Sequence, residues 1–308
     1  MNNRNLSVDL AGLQLKNPLI TASGTCGFAV ELNEYIDIER LGAVTVKGIT
    51  VDPRDGNPVP RIAETPSGIL NSIGLENPGV DKFISEKLPE LKDYELPIIV
   101  NISGHSLDDF ACLASKLAPC DGIAALEVNV SCPNIEGGGM AFGTDSELIY
   151  KVGKIVRKEY DGKIIVKLSP NVTDIVEMAC AAEESGADII SLINTLLGMK
   201  IDTRQRKPAL ANVFGGLSGP AVKPVALRMV YQVAQKVDIP IIGMGGIMTA
   251  NDALEFLMAG ATAVSVGTGT MVDPEILMEI IDGLEEYMRD NSIDSLDQII
   301  GIAHSAIG

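Results

Sequence analysis

Short runs rich in valine and isoleucine recur along the chain, each followed by a stretch whose apolar residues return every three or four positions. The runs predict strands at 18–23 (PLITAS), 43–49 (AVTVKGI), 97–103 (PIIVNIS), 125–131 (ALEVNVS), 163–169 (KIIVKLS), 188–194 (DIISLIN), 240–244 (PIIGM) and 263–267 (AVSVG). The intervening periodicity predicts helices near 31–41, 78–92, 106–117, 145–160, 173–185, 221–237, 250–259 and 274–290. Ser106 ahead of Asp108 and Asp109, Thr173 ahead of Val176 and Glu177, and Thr249 with Asn251 ahead of Leu254 mark helix starts. Strands that are apolar throughout, without alternation, belong to a parallel sheet buried on both faces. Eight such strands alternating with eight helices predict an α/β fold of the TIM or (β/α)8 barrel class, with residues 1–308 as a single domain. The rival, an open doubly wound sheet, prefers GxGxxG after its first strand, and Ser23-Gly24-Thr25-Cys26-Gly27 matches that only loosely.

Three connections depart from the short βα turn. Residues 50–77 and 195–220 are extended loops that follow strands, which puts them on the C-terminal face where barrel sites are built. The third, 132–144, is glycine-rich and reads as a mobile lid. The opening LSVDLAGLQLKNP reads as a short N-terminal hairpin plugging the barrel bottom.

Composition narrows the range of partners. A net charge of −17 repels polyanions, so nucleic acid and anionic membranes are excluded as partners, and an anionic small substrate would need local cations. The five cysteines, at 26, 112, 120, 132 and 180, show no CxxC spacing, which argues against a disulfide framework, a zinc site or an iron–sulfur site within this chain. MNNRNLSVDL has no basic-then-apolar signal and no apolar run reaches membrane-spanning length, so a soluble, cytoplasmic protein is expected.

Candidate chemistry clusters at strand ends: Lys47-Gly48, Asn101, Asn129 with Cys132, Lys167, and Asn194-Thr195. A lone lysine in an apolar strand is usually salt-bridged or snorkelling, but two at equivalent positions of different strands point to a ligand. Gly243-Met244-Gly245-Gly246-Ile247 and Gly267-Thr268-Gly269-Thr270 follow the seventh and eighth strands, where the recurrent phosphate site of this fold is built, and Gly215–Pro220 offers a third wall. Cys132, fixed by Pro133, is open to three roles: metal ligand, nucleophile or proton carrier. The absence of a nearby histidine or second cysteine disfavours the first two. His105 and His304 read as structural or surface residues, and the other four cysteines as small core hydrophobes.

Asn129-Val130-Ser131-Cys132-Pro133-Asn134, Asn71-Ser72-Ile73-Gly74-Leu75, Gly216-Leu217-Ser218-Gly219-Pro220 and Gly245-Gly246-Ile247 together resemble the dihydroorotate dehydrogenase family over nearly the whole chain. The resemblance implies an FMN-containing barrel that oxidises dihydroorotate to orotate in pyrimidine synthesis. Membrane-bound members carry an N-terminal extension and a serine base, and neither is found in this sequence. The continuation Ile135–Asp145 is similar to the class 1B, NAD-linked catalytic subunits and unlike the fumarate-reducing homodimers. That likeness implies an electron-transfer partner subunit carrying FAD and [2Fe-2S], and a homodimer core within a heterotetramer. It assigns Cys132 as the base for the C5 proton, with the C6 hydride passing to FMN. It assigns Lys47, Asn71, Ser72, Ile73, Gly74, Leu75, Asn129, Asn194 and Thr195 to the substrate. Ser23, Lys47, Gly48, Asn101, Asn129, Lys167 and Ile193 surround the flavin in this reading, and Gly219, Gly245, Gly246, Gly267 and Thr268 its phosphate end. Lys167 would stabilise negative charge on the reduced ring.

Overall fold

The computed structural model describes residues 5–131 and 142–305. All eight expected strands form, each trimmed by up to three residues. They are β1 (Leu19–Thr21), β2 (Val44–Ile49), β3 (Ile98–Ile102), β4 (Ala125–Asn129), β5 (Lys163–Lys167), β6 (Ile189–Leu192), β7 (Ile241–Met244) and β8 (Ala263–Val266). They make one parallel sheet in the order β1-β8-β7-β6-β5-β4-β3-β2. The circle is completed between β1 and β2 by a single parallel bridge, Ile20 to Ala43. There Thr21 accepts the Thr45 backbone N–H at 2.9 Å, so a side chain does what a ladder bond does elsewhere. This is the (β/α)8 barrel, and the strands are apolar on both faces because core side chains fill the inside while helices cover the outside.

The helices follow the expected positions with physical differences at their ends. Ser106 and Thr249 each close a capping box, with Asp109 and Asp252 as the reciprocal acids. The start near 173 is corrected: Asp174, not Thr173, accepts the Val176 and Glu177 N–H groups. Residues 31–41 do not form one helix but two short 3-10 turns, Val30–Glu34 and Ile38–Arg40. The 78–92 helix contains a π turn over Phe83–Lys87. A five-residue helix, Thr268–Val272, which the periodicity does not reveal, follows β8 directly.

The two long loops are not irregular. Leu196–Met199, Phe214–Ser218, Gly68–Asn71 and Ile62–Thr65 pair antiparallel, in that order, as a four-stranded sheet over the barrel mouth. The expected hairpin is Val8–Leu10 with Leu13–Leu15, turned by Ala11 and Gly12 at φ 56° and 87°. Buried Leu10 and Leu15 join the core, and the short step from Leu15 to β1 keeps the hairpin at the N-terminal end. Of the cysteines expected in the core only Cys26 is buried; Cys112, Cys120 and Cys180 are half-exposed. The last two lie at the edge of the core, and the Cys120 thiol donates to Lys116 O at 3.5 Å. The 132–144 segment lies outside the described residues up to position 141, and Phe142 then packs edge-on against Phe110.

Candidate active site

Every residue that the family resemblance assigns to the site, apart from Cys132, lines one cleft of about 390 Å³ at the C-terminal ends of the strands. That volume and position suit a small-molecule site on this fold. Cys132 lies outside the described residues, but Ser131, immediately before it, stands at the cleft's polar side.

One end of the cleft is built from side chains. Asn129 ends β4 and donates to the Ser103 hydroxyl at 3.1 Å, while its carbonyl accepts the Ser131 N–H and the Asn194 amide. Asn194 also donates to Ser131 Oγ at 2.9 Å and accepts the Thr195 N–H at 2.8 Å. Residues just past β3, β4 and β6 are thereby locked to one another, which fixes amide rotamers that would otherwise turn freely. Lys47 projects from β2 at an irregularity of register between Val46 and Ile49. Such a bulge re-aims a side chain at a barrel rim. Its companion Gly48 has no room for a β-carbon, which would meet Asn101 Oδ1 at 2.9 Å. The backbone peptide Leu192–Ile193, which brings Ile193 to the cleft, is cis.

Beneath this layer lies a buried charge cluster. Lys167 ends β5 and donates to Ser23 Oγ at 3.1 Å, and its ammonium stands 3.5 Å from the Glu127 carboxylate. Glu127 accepts the Asn101 amide at 2.6 Å and the Ser191 hydroxyl at 2.9 Å. Neither Glu127 nor Ser191 is among the residues singled out from the sequence. The signal for Glu127 was present in ALEVNVS, an acid inside an apolar strand run, which is the feature that marked the lysines.

The opposite end of the cleft presents backbone. Gly245 and Gly246 follow β7 with φ of 128° and 79°, conformations that glycine adopts without strain. A β-carbon on Gly246 would lie 2.8 Å from Gly219 O. Gly267 follows β8 and caps the Thr268–Val272 helix, and Thr268 donates to Ser218 Oγ at 2.8 Å, tying the cap sheet to this wall. Not all the expected glycines belong here. Gly243 makes room for the Phe256 ring, and Gly215 and Gly216 stand in the cap strand.

The remaining candidates are structural. His304 Nε2 donates to Ala259 O at 2.9 Å and packs on Tyr231, and His105 pairs with Arg54; neither lines the cleft. Burial pushes the Cys26 thiol up to about 11, so it is an inert member of the first βα turn. Among the described residues no group of three or more His, Cys, Asp or Glu side chains is placed to hold a metal ion. No helix among them is long and apolar enough to cross a membrane.

The fold and cleft define a small-molecule (β/α)8 barrel with a polar side-chain end and a glycine end. The sequence narrows this further. The dihydroorotate dehydrogenase family model matches residues 5–288, and the chain belongs to that family. It is 54% identical to the catalytic subunit of dihydroorotate dehydrogenase B (NAD(+)) from Geotalea uraniireducens, over 98% of this chain and 99% of that one. The subunit of the same name from Desulforamulus reducens is 56% identical over 97% of this chain and 99% of the relative. That from Thermoanaerobacter pseudethanolicus is 54% identical over 96% and 98%.

Proposed function

We propose that the chain oxidises dihydroorotate to orotate with FMN held in the cleft, and hands the electrons to NAD through a partner subunit carrying FAD and [2Fe-2S]. The observation that carries this is the convergence, in one cleft, of a glycine wall after β7 and β8 with the polar network of β2 to β6. It is read together with relatives of full-length similarity that bear that activity in their names. The residues present fit FMN. The buried Ser265 and Ser72 hydroxyls, both lining the cleft, have no hydrogen-bond partner within the protein. Buried polar atoms of this kind are normally satisfied, so a ligand is the natural partner. Gly219, Gly245, Gly246, Gly267 and Thr268 would hold the phosphate through backbone N–H groups and a hydroxyl.

FMN, when bound, supplies a two-electron acceptor for the C6 hydride. The protein's part is placement and proton handling. Lys47 and Lys167 supply local positive charge in a strongly acidic chain, and Lys47, on the rim, meets the substrate carboxylate. Asn71, Asn129, Asn194 and Thr195 present fixed amide and hydroxyl groups to the pyrimidine ring, while Ser72, Ile73, Gly74 and Leu75 close the cap above it. Cys132 removes the C5 proton; a thiol titrates close enough to neutrality to act as base once the product's charge is stabilised. Ser23, Gly48, Asn101 and Ile193 complete the ring's surroundings.

The test is to purify the chain alone and together with its partner subunit, identify the released flavin, and assay dihydroorotate with fumarate and with NAD. FMN in the lone chain and NAD reduction only in the complex are expected. Robust fumarate turnover by the lone chain would overturn the NAD-linked reading in favour of a homodimeric enzyme. Inhibition by uracil but not orotate would point to a dihydropyrimidine dehydrogenase-like subunit, and a preparation that takes up no flavin would reduce the barrel to a binding protein.

A further inference from the structure

Four neighbouring strands each place one polar side chain in the barrel interior: Asn101 from β3, Glu127 from β4, Lys167 from β5 and Ser191 from β6. The register pairs Asn101 with Glu127 and Lys167 with Ser191 across adjacent strands. The Glu127 and Lys167 side chains are 3% and 5% exposed, so the pair is removed from water. Burying an ion pair is a poor way to stabilise a core, since well-packed apolar residues of similar volume often do as well or better. A stability role therefore explains the cluster badly.

Its geometry points elsewhere. Asn101 and Lys167 line the cleft, whereas Glu127 and Ser191 stand behind them. The lysine ammonium has three N–H donors. One reaches Ser23 Oγ and one faces Glu127, which leaves a third for a ligand. The carboxylate in turn accepts one of the two Asn101 amide hydrogens and the Ser191 hydroxyl. Among the described residues, the other charged side chains lining the cleft are Lys47 from β2 and Glu76 from the cap, and Glu76 is already paired with Arg61.

We propose that Glu127 is the positioning residue for Lys167 and Asn101, and that its charge sets how readily the bound flavin is reduced. The proposal rests on the reading that this cleft holds FMN. The carboxylate directs the ammonium toward the cleft and offsets part of its charge. The field felt by a reduced, negatively charged ring is then that of the pair and not of lysine alone. Glu127 touches neither substrate nor cofactor; it acts through its two neighbours.

The test is a double-mutant cycle on the FMN-loaded protein, reading the flavin's reduction equilibrium against a reference dye, with FMN affinity of the apoprotein as a second measure. Glu127→Gln keeps the shape and the acceptor for Asn101 while removing the charge. It is expected to shift the equilibrium toward reduced flavin about tenfold, ~30 mV for a two-electron couple. In a Lys167→Met background the same change is expected to move it less than about twofold, because a carboxylate buried without its ammonium is neutralised and the substitution then removes no charge. Equal shifts in both backgrounds, or a wild-type equilibrium in Glu127→Gln, overturn the proposal. Should Glu127→Gln not fold, Glu127→Asp takes its place in the cycle. It retains the charge but withdraws it from the ammonium, so a smaller shift in the same direction, again abolished with Lys167→Met, is expected, and additivity is again the contrary result. A wild-type chain that binds no FMN refutes the functional reading itself. A flavin-loaded, dihydroorotate-reducible wild type with an additive cycle refutes only the role of Glu127.

Discussion

The two ends of the cleft solve the problem of holding a ligand in opposite ways. The end after β7 and β8 works by leaving side chains out: Gly245, Gly246 and Gly267 expose backbone, and Gly219 closes against Gly246 so tightly that no β-carbon fits. The end formed by β2 to β6 works by putting side chains in and then tying each to another, from Ser103 through Asn129 to Asn194 and Ser131. An omitted side chain gives close approach and affinity but no chemistry. A tethered one gives direction, which a reaction needs more than affinity does. The lesson is a division of labour: binding and catalysis in this barrel are separable, and substitutions should separate them.

The largest expected effect is at Cys132. Cys132→Ser should retain FMN but slow its reduction by dihydroorotate by roughly 10²–10⁴-fold, the usual worth of a positioned base, with activity recovering toward alkaline pH. Stopped-flow absorbance would show it, and unchanged reduction removes Cys132 from that role. At the glycine end, Gly246→Ala should weaken FMN binding on the order of 100-fold, because the added carbon meets backbone and φ is positive. Reduction of whatever flavin is bound should stay near the wild-type rate, and slow reduction with intact binding would dissolve the division. Asn194→Ala should slow reduction roughly tenfold with FMN affinity preserved, since it loses a donor worth about 1 kcal/mol and frees Asn129 and Ser131.

An effect confined to alkaline pH concerns a thiol outside the division. Burial raises Cys26 to about 11, so between pH 9 and 11 the folded chain holds a proton that the unfolded chain releases. Stability should therefore be unaffected by this group below about pH 9 and fall above it, by up to ~3 kcal/mol. Denaturation of wild type against Cys26→Ala would show a steeper alkaline loss in wild type. Parallel profiles would mean that the thiol is not buried in solution.

The same contrast governs what the sequence discloses. The barrel strands are legible because each is a local apolar run whose neighbour in the sheet comes from the next βα unit. The glycine end is legible because glycine clusters after known strands have one common purpose. The cap sheet is not, since Asn71 pairs with Gly216 across a long stretch of chain, and no local periodicity encodes that. Its strands are short and half-exposed, as in IAET and LLGM, so neither a continuous apolar run nor a turn signal marks them. The Thr268–Val272 helix is too short for a helical period to register. Residues 31–41 carry helical spacing yet break into two turns, with Asp37 capping the second. Glu127 could have been found, because an acid within a buried strand requires a partner and Lys167 was already in view.

The measurement closest to the central claim is an anaerobic titration of the purified, FMN-loaded chain with dihydroorotate, followed at the flavin's visible absorbance. Bleaching in proportion to added dihydroorotate, with orotate as the product and no partner subunit required for this half-reaction, is the expected result. A flavin that stays oxidised with excess dihydroorotate, while chemical reductants still bleach it, would contradict it.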